Sequence, residues 1–218
     1  ILNVGGNLNL SAGSIRKTGG GTGALNLVKA TGEQTVNIHS AGINMNNVPV
    51  NIGNGTTTNT VTLNADLALN SAAVLNVLTN ARLNSNNFIT TGGSFTLGAG
   101  ATHGIGSPLG INISGNDGNI QTTTRIFPDN ANYVYNGSGD QVTGNALPSN
   151  ITGSLQIANT GVGSNTVTLT TNGTTTSNLT LTSGRLAVGG GQTLNIANGG
   201  QIDIPASGGA GSQATGSN

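Results

Sequence analysis

The sequence predicts an all-β protein folded as a β-solenoid, with short strands stacked in parallel as in a right-handed parallel β-helix. Three observations predict it: a recurring apolar–polar–apolar triplet, a spacing of seven or eight residues between triplets, and the near absence of helical stretches. Strict alternation places both apolar side chains of a triplet on one face and the polar one on the other. Each triplet therefore reads as a very short strand with one buried face. Gly and Asn recur too often for a ten-residue amphipathic helix to survive their combined propensity cost.

Taken in order, the triplets are Leu8-Asn9-Leu10, Leu25-Asn26-Leu27, Val36-Asn37-Ile38, Val61-Thr62-Leu63, Leu75-Asn76-Val77 and Phe95-Thr96-Leu97. They continue with Ile111-Asn112-Ile113, Leu155-Gln156-Ile157, Val167-Thr168-Leu169, Leu179-Thr180-Leu181, Leu194-Asn195-Ile196 and Ile202-Asp203-Ile204. Gly, Asn or Ser-Gly follows most of them and supplies the turn. Near the C-terminal end the repeats start at 179, 186, 194 and 202. Three such steps make a coil of about 20–22 residues, within the range of solenoid repeats. A sandwich needs longer strands joined as hairpins, and these are too short to pair that way. At roughly 4.8 Å per coil, about ten coils form a rod near 50 Å long with a narrow aliphatic core. Self-similarity supports the repeat: Asn7–Ile15 matches Asn178–Leu186 without a gap, and a weaker copy starts at Asp66.

The composition fits this architecture. Gly (37), Asn (33), Thr (31) and Ser (17) make up more than half of the 218 residues. Asn at equivalent positions of successive coils forms side-chain amide ladders, and Asn and Gly tolerate the left-handed conformation of tight corners. The plainer alternative is that Asn and Thr keep an uncharged rod soluble. Six Lys/Arg balance six Asp/Glu, so the basic footprint of a nucleic-acid binder is missing, as is a polybasic membrane patch. No stretch approaches the roughly 18 apolar residues of a membrane span. With no Cys, a disulfide framework and thiolate metal sites are excluded.

Residues 1–205 read as one solenoid domain and 206–218 as a Gly/Ser-rich linker or tail. Ile1 opens the chain without an initiator Met, which reads as a mature or excised piece whose targeting signal lies elsewhere. The stretch 121–150 stands apart, with Phe127, both tyrosines and two of the five prolines. Tyr133-Val134-Tyr135 keeps the alternation, so both rings share a face. Outward, Tyr133 and Tyr135 with Arg125 and Phe127 make candidate contacts for a sugar ring or a protein partner. Inward, they fill a wider coil, and the filling role is the favoured reading.

This segment also carries a resemblance. Tyr133-Val134-Tyr135-Asn136-Gly137-Ser138-Gly139-Asp140-Gln141-Val142-Thr143-Gly144, then Leu147-Pro148, Leu155–Asn159, Val167–Leu169 and Asn178–Gly184, together resemble the repeat unit of very large secreted surface proteins of Bacteroidota. The upstream segment Gly118–Thr122 fits the same unit, and the resemblance covers about 60 to 205. It implies an adhesin or extracellular filament at the cell surface, of the kind exported by the type IX system. It implies no catalytic, metal or cofactor residues.

Enzymatic signals are scarce. Glu33, Asp66, Asp117, Asp129, Asp140 and Asp203 are scattered, whereas solenoid lyases and hydrolases need clustered carboxylates. Asp117, Asp129 and Asp140 approach one another only if their spacing nears a fraction of a coil, and solvated turn acids are the favoured reading. His39 and His103 lack metal-ligand spacing and read as isolated surface or turn residues. Asn116-Asp117-Gly118-Asn119 reads as a turn before a calcium loop. Seven Asn-x-Ser/Thr sequons match chance for this composition. Thr-x-Thr pairs at 56/58, 122/124, 168/170, 174/176 and 180/182 raise ice binding, but their intervals follow no coil period. The expected function is therefore a structural, non-enzymatic segment of an extracellular adhesin or filament, whose partners are neighbouring repeats or other copies end to end. The alternative is a carbohydrate- or ice-binding module that meets surface glycans or ice.

Overall fold

The computed structural model describes residues 1–19, 23–39, 43–44, 48–204 and 213–216, with 43–44 and 213–216 through their backbone alone. Twenty-three short strands and no helix occur among them, wound into a β-solenoid of about 8 turns with about 24 residues each. Strands follow one another around three faces, and every pairing between them is parallel. At about 4.8 Å per turn the rod is about 40 Å long.

One face carries β1 (Leu2–Val4), β4 (Leu25–Leu27), β7 (Pro49–Ile52), β10 (Val74–Val77) and the second parts of β12 (Thr90–Leu97) and β14 (Ile120–Ile126). The following face carries β2 (Leu8–Leu10), β5 (Glu33–Ile38), β8 (Asn59–Leu63), β11 (Ala81–Asn84), β13 (Thr102–Ile105), β15 (Asn132–Tyr135) and β18 (Ser154–Ala158). β20 (Thr174–Ser183) and β22 (Leu194–Asp203) bend across the corner between these two faces. Their first residues stack with β17 (Asn150–Ile151), and their last with β18. The remaining face holds β3 (Ile15–Arg16), β6 (Ile43–Asn44), β9 (Leu67–Ala68), the starts of β12 and β14, then β16 (Gln141–Val142), β19 (Thr166–Leu169), β21 (Arg185–Val188) and β23 (Gln213–Gly216).

Register turns the triplets into columns. Leu2, Leu25, Val50, Leu75 and Phe95 stack on one another, and beside them run Val4, Leu27, Ile52, Val77 and Leu97. Across the core lie Leu83, His103, Tyr133, Leu155 and Leu179. Burying such columns supplies the main driving force, at about 25 cal/mol per Å² of apolar surface. Most apolar side chains rest on apolar ones above and below, and Phe95, His103 and Tyr133 are the bulky members of these columns.

The turn length differs from the expected 20–22 residues because corners vary. Leu83 to His103 is 20 positions and His103 to Tyr133 is 30, since the stretch 106–119 is inserted between β13 and β14, with Ile111 in the core and 113–117 exposed. Ile111-Asn112-Ile113, read as a strand from its alternation, lies in this loop, where Ile113 is 64% exposed. The strands β14 to β17 follow directly after this loop. Within the tail, 213–216 pair with β21, and the rest of 206–218 lies outside the described residues apart from this strand.

Corners bring neighbouring backbones very close. Gly144 has φ +79°, and a Cβ there would sit 2.0 Å from the carbonyl oxygen of Ile111 in the adjoining turn. Only glycine meets both demands. Asn80 and Asn86 take positive φ of 65° and 49°, the expected use of Asn at corners.

Candidate functional site

The most regular surface feature is a row of asparagines. Asn3, Asn26, Asn51 and Asn76 occupy one register position on four successive turns. Asn26 Nδ2 donates to Asn3 Oδ1 at 2.7 Å, Asn51 Nδ2 to Asn26 Oδ1 at 2.9 Å, and Asn76 Nδ2 to Asn51 Oδ1 at 2.9 Å. The next position is Thr96, which has no amide to continue the row. The ladder expected from Asn abundance is present on this face.

A second set of amides points inward, and sequence reasoning missed it. Asn119 is fully buried. Its Nδ2 donates to the carbonyl oxygens of Asn86 and Phe88, both at 2.8 Å, and its Oδ1 accepts from the N–H of Gly106 and Ser107. Gln141 Nε2 donates to Ile105 O and Ser107 O, while its Oε1 accepts from Gly137 N–H and Asn159 Nδ2. Gln34 Nε2 likewise donates to Val4 O and Gly6 O. Corner carbonyls turned away from water need partners, and a carboxamide reaches two at once. Thr90, Thr122, Thr143, Thr174 and Thr176 are also buried, so threonine is not confined to the outward half of the strands.

The four candidate contact residues separate. Tyr133 and Tyr135 are completely buried, which is the inward, filling alternative. Tyr133 Oη donates to Pro128 O at 2.5 Å and Tyr135 Oη to Thr143 O at 2.8 Å. Burial pushes both phenols upward in pKa, with Asp129 adding to the effect on Tyr133. A ring sealed between Leu155, Ile157 and the turn before it has no face left for a ligand. Phe127 is half-buried, its ring 5.5 Å from Phe95 and 6.2 Å from His103. A small aromatic cluster therefore interrupts the aliphatic core.

His103 is the corrected histidine: it is buried, not a surface or turn residue. Its Nε2 lies 2.9 Å from Ser85 Oγ, and its Nδ1 is buried without a partner. Desolvation, with the nearby Arg82 charge adding to it, lowers its pKa to about 3. His39 instead meets Gly13 O through Nε2 at 2.5 Å.

Arg125 keeps a surface. It shares the register of Phe95 but remains half-buried, because the 106–119 loop folds back onto it. Nε donates to Thr122 O and Nη1 to Asn112 O, each at 2.9 Å, and Nη2 donates to Gly115 O. The guanidinium thus fastens the loop to β14. Burial lowers its pKa, and no acid appears among the influences on it.

Three of the acids accept hydrogen bonds within the fold. Asp66 Oδ1 accepts from Ile89 N–H at 2.9 Å, Asp140 from Thr166 N–H and Ser164 Oγ, and Glu33 from Thr62 Oγ1. No group of three or more His, Cys, Asp or Glu able to hold a metal ion occurs among the described residues. Fold and surface define the chain as a β-solenoid repeat protein with an external amide ladder. Comparison with protein-family models, with curated proteins and with solved structures finds no match.

Proposed function

We propose that the chain is a structural segment of an extracellular surface adhesin or filament, non-enzymatic, working through attachment or assembly. The observation that carries this reading is the parallel stacking that runs from β1 to β22 with a side-chain ladder along one face. Strand edges in such a stack accept a further turn in the same register, so neighbouring repeats or other copies are the natural end-to-end partners. Zero net charge leaves little repulsion between rods. The resemblance to Bacteroidota surface repeats supports the extracellular setting. Asp66 and Asp140, each accepting a backbone N–H from the next turn, support a non-catalytic role.

Thr-x-Thr does not repeat from turn to turn on the face from β8 to β15, which favours the structural reading over ice binding. The outward pairs from β8 to β15 are Thr60/Thr62, Arg82/Asn84, Thr102/Gly104 and Asn132/Val134. The carbohydrate alternative loses its tyrosine platform through burial of the rings.

Negative-stain imaging of the purified chain over a range of concentrations tests the proposal. Rods that join end to end, or that coat cells or immobilised matrix while staying unbranched, are expected. Discrete 40 Å particles that neither join at high concentration nor attach to any surface would overturn it.

A further inference from the structure

The Arg125 guanidinium has five N–H donors, and three of them are spent on the carbonyl oxygens of Thr122, Asn112 and Gly115. The other two make no bond with the described residues. Arg125 lines a cavity of about 220 Å³ together with Ser114, Gly115, Asn116, Gln121, Thr122 and Thr123. Ser114 and Asn116, which line the same cavity, likewise make no side-chain hydrogen bond with the described chain. The cavity lining contains a cation and no carboxylate. The contrast with Arg82 is instructive: its guanidinium donates to Asn84 Oδ1 and feels the charge of Glu33.

Three backbone carbonyls hold the guanidinium in a fixed orientation, so its remaining donors are preorganised. A rigid fork of charged N–H groups matches two oxygens of one anionic group, and such charge-assisted bonds are about twice as strong as neutral ones. Neutral donors around the fork suit hydroxyl groups on the same ligand. We propose that the Arg125 cradle is an oxyanion site, taking the carboxylate or sulfate group of an acidic sugar. The site does not depend on whether the rods assemble, so its failure leaves the structural role standing, and the reverse holds too.

The test uses the 218-residue chain and follows backbone amide shifts of residues 113–116 and 121–125 by NMR. The probes are sodium sulfate, sodium glucuronate and glucose, with ionic strength held constant by chloride. Saturable shifts with sulfate, glucuronate or both, and none with glucose, are expected. Arg125→Lys keeps the charge but loses the fork and should weaken binding about tenfold. Because changing Arg125 also loosens the loop, Ser114→Ala with Asn116→Ala gives a second reading that leaves the three carbonyl contacts intact; it should weaken binding severalfold. Shifts no larger than those from chloride, equal shifts from glucose, or binding unchanged in both variants would overturn the proposal.

Discussion

Protonating His103 places a charge between Phe95 and Phe127, where neither water nor an acid receives it. Its folded-state pKa of about 3 lies below the unfolded value of about 6.5, so between these limits the unfolded chain binds the proton better. This group therefore leaves stability intact above pH 6.5, erodes it as the pH falls, and has no further effect below about 3. The full loss is on the order of 5 kcal/mol. His103→Leu, which fits the column of Leu83 and Leu155, should flatten the acid dependence. Urea midpoints at pH 4 and pH 7 for both proteins check this, and equal pH slopes would refute the assignment. The inward direction of His103 was legible: Thr102-His103-Gly104-Ile105 alternates, and Ile105 must be inside. Residue type argued for the surface, and the periodicity was the better guide.

At the scale of the strand, the asparagine ladder links turns through side chains as well as backbone. Asn51 sits in its middle, giving one bond and receiving another, whereas Asn3 only receives. A net hydrogen bond contributes about 0.5–1.5 kcal/mol. Asn51→Ala should cost about 1–2 kcal/mol, and Asn3→Ala clearly less. Denaturant titration of the two variants measures the difference, and equal costs would show that the ladder adds nothing cooperative. The triplets named two of the four strands that carry this ladder, β4 and β10, but not β1 or β7, and one triplet elsewhere formed no strand. Ile111-Asn112-Ile113 alternates like the rest, yet Arg125 claims the Asn112 carbonyl for a loop. A three-residue pattern carries too little information to tell a strand from an extended loop.

At the scale of the molecule, each turn pairs its backbone only with its neighbours, with Asn136 Nδ2 to Asn84 Oδ1 a side-chain bond that reaches one turn further, so stability is close to a sum of local terms. Protection against hydrogen exchange should peak from β12 to β18, where Phe95, Ile105, Tyr133, Tyr135, Leu155 and Ile157 are sealed. It should decline toward β1 and β22, where Leu2 and Ile202 are 46% and 51% exposed. Mass-spectrometric exchange reads the gradient directly. Uniform protection along the chain would mean global unfolding in a single step and contradict the one-dimensional picture.

Alternation, Asn and Gly richness and the lack of helical periodicity were enough to establish parallel turns with an aliphatic inside and an uncharged outside. These are local properties, because side-chain direction in a strand follows from the pleat alone. Which residue stacks on which was a different matter. Turn lengths of 20 and 30 positions adjoin each other, and no fixed period locates Tyr133 above His103 or Asn119 beneath the Gly106 corner. Those pairings depend on where inter-turn hydrogen bonds close, and loop length costs little enough that corners vary freely. The burial of the tyrosines, the inward amide braces and the open half of the Arg125 fork all follow from that non-local registry.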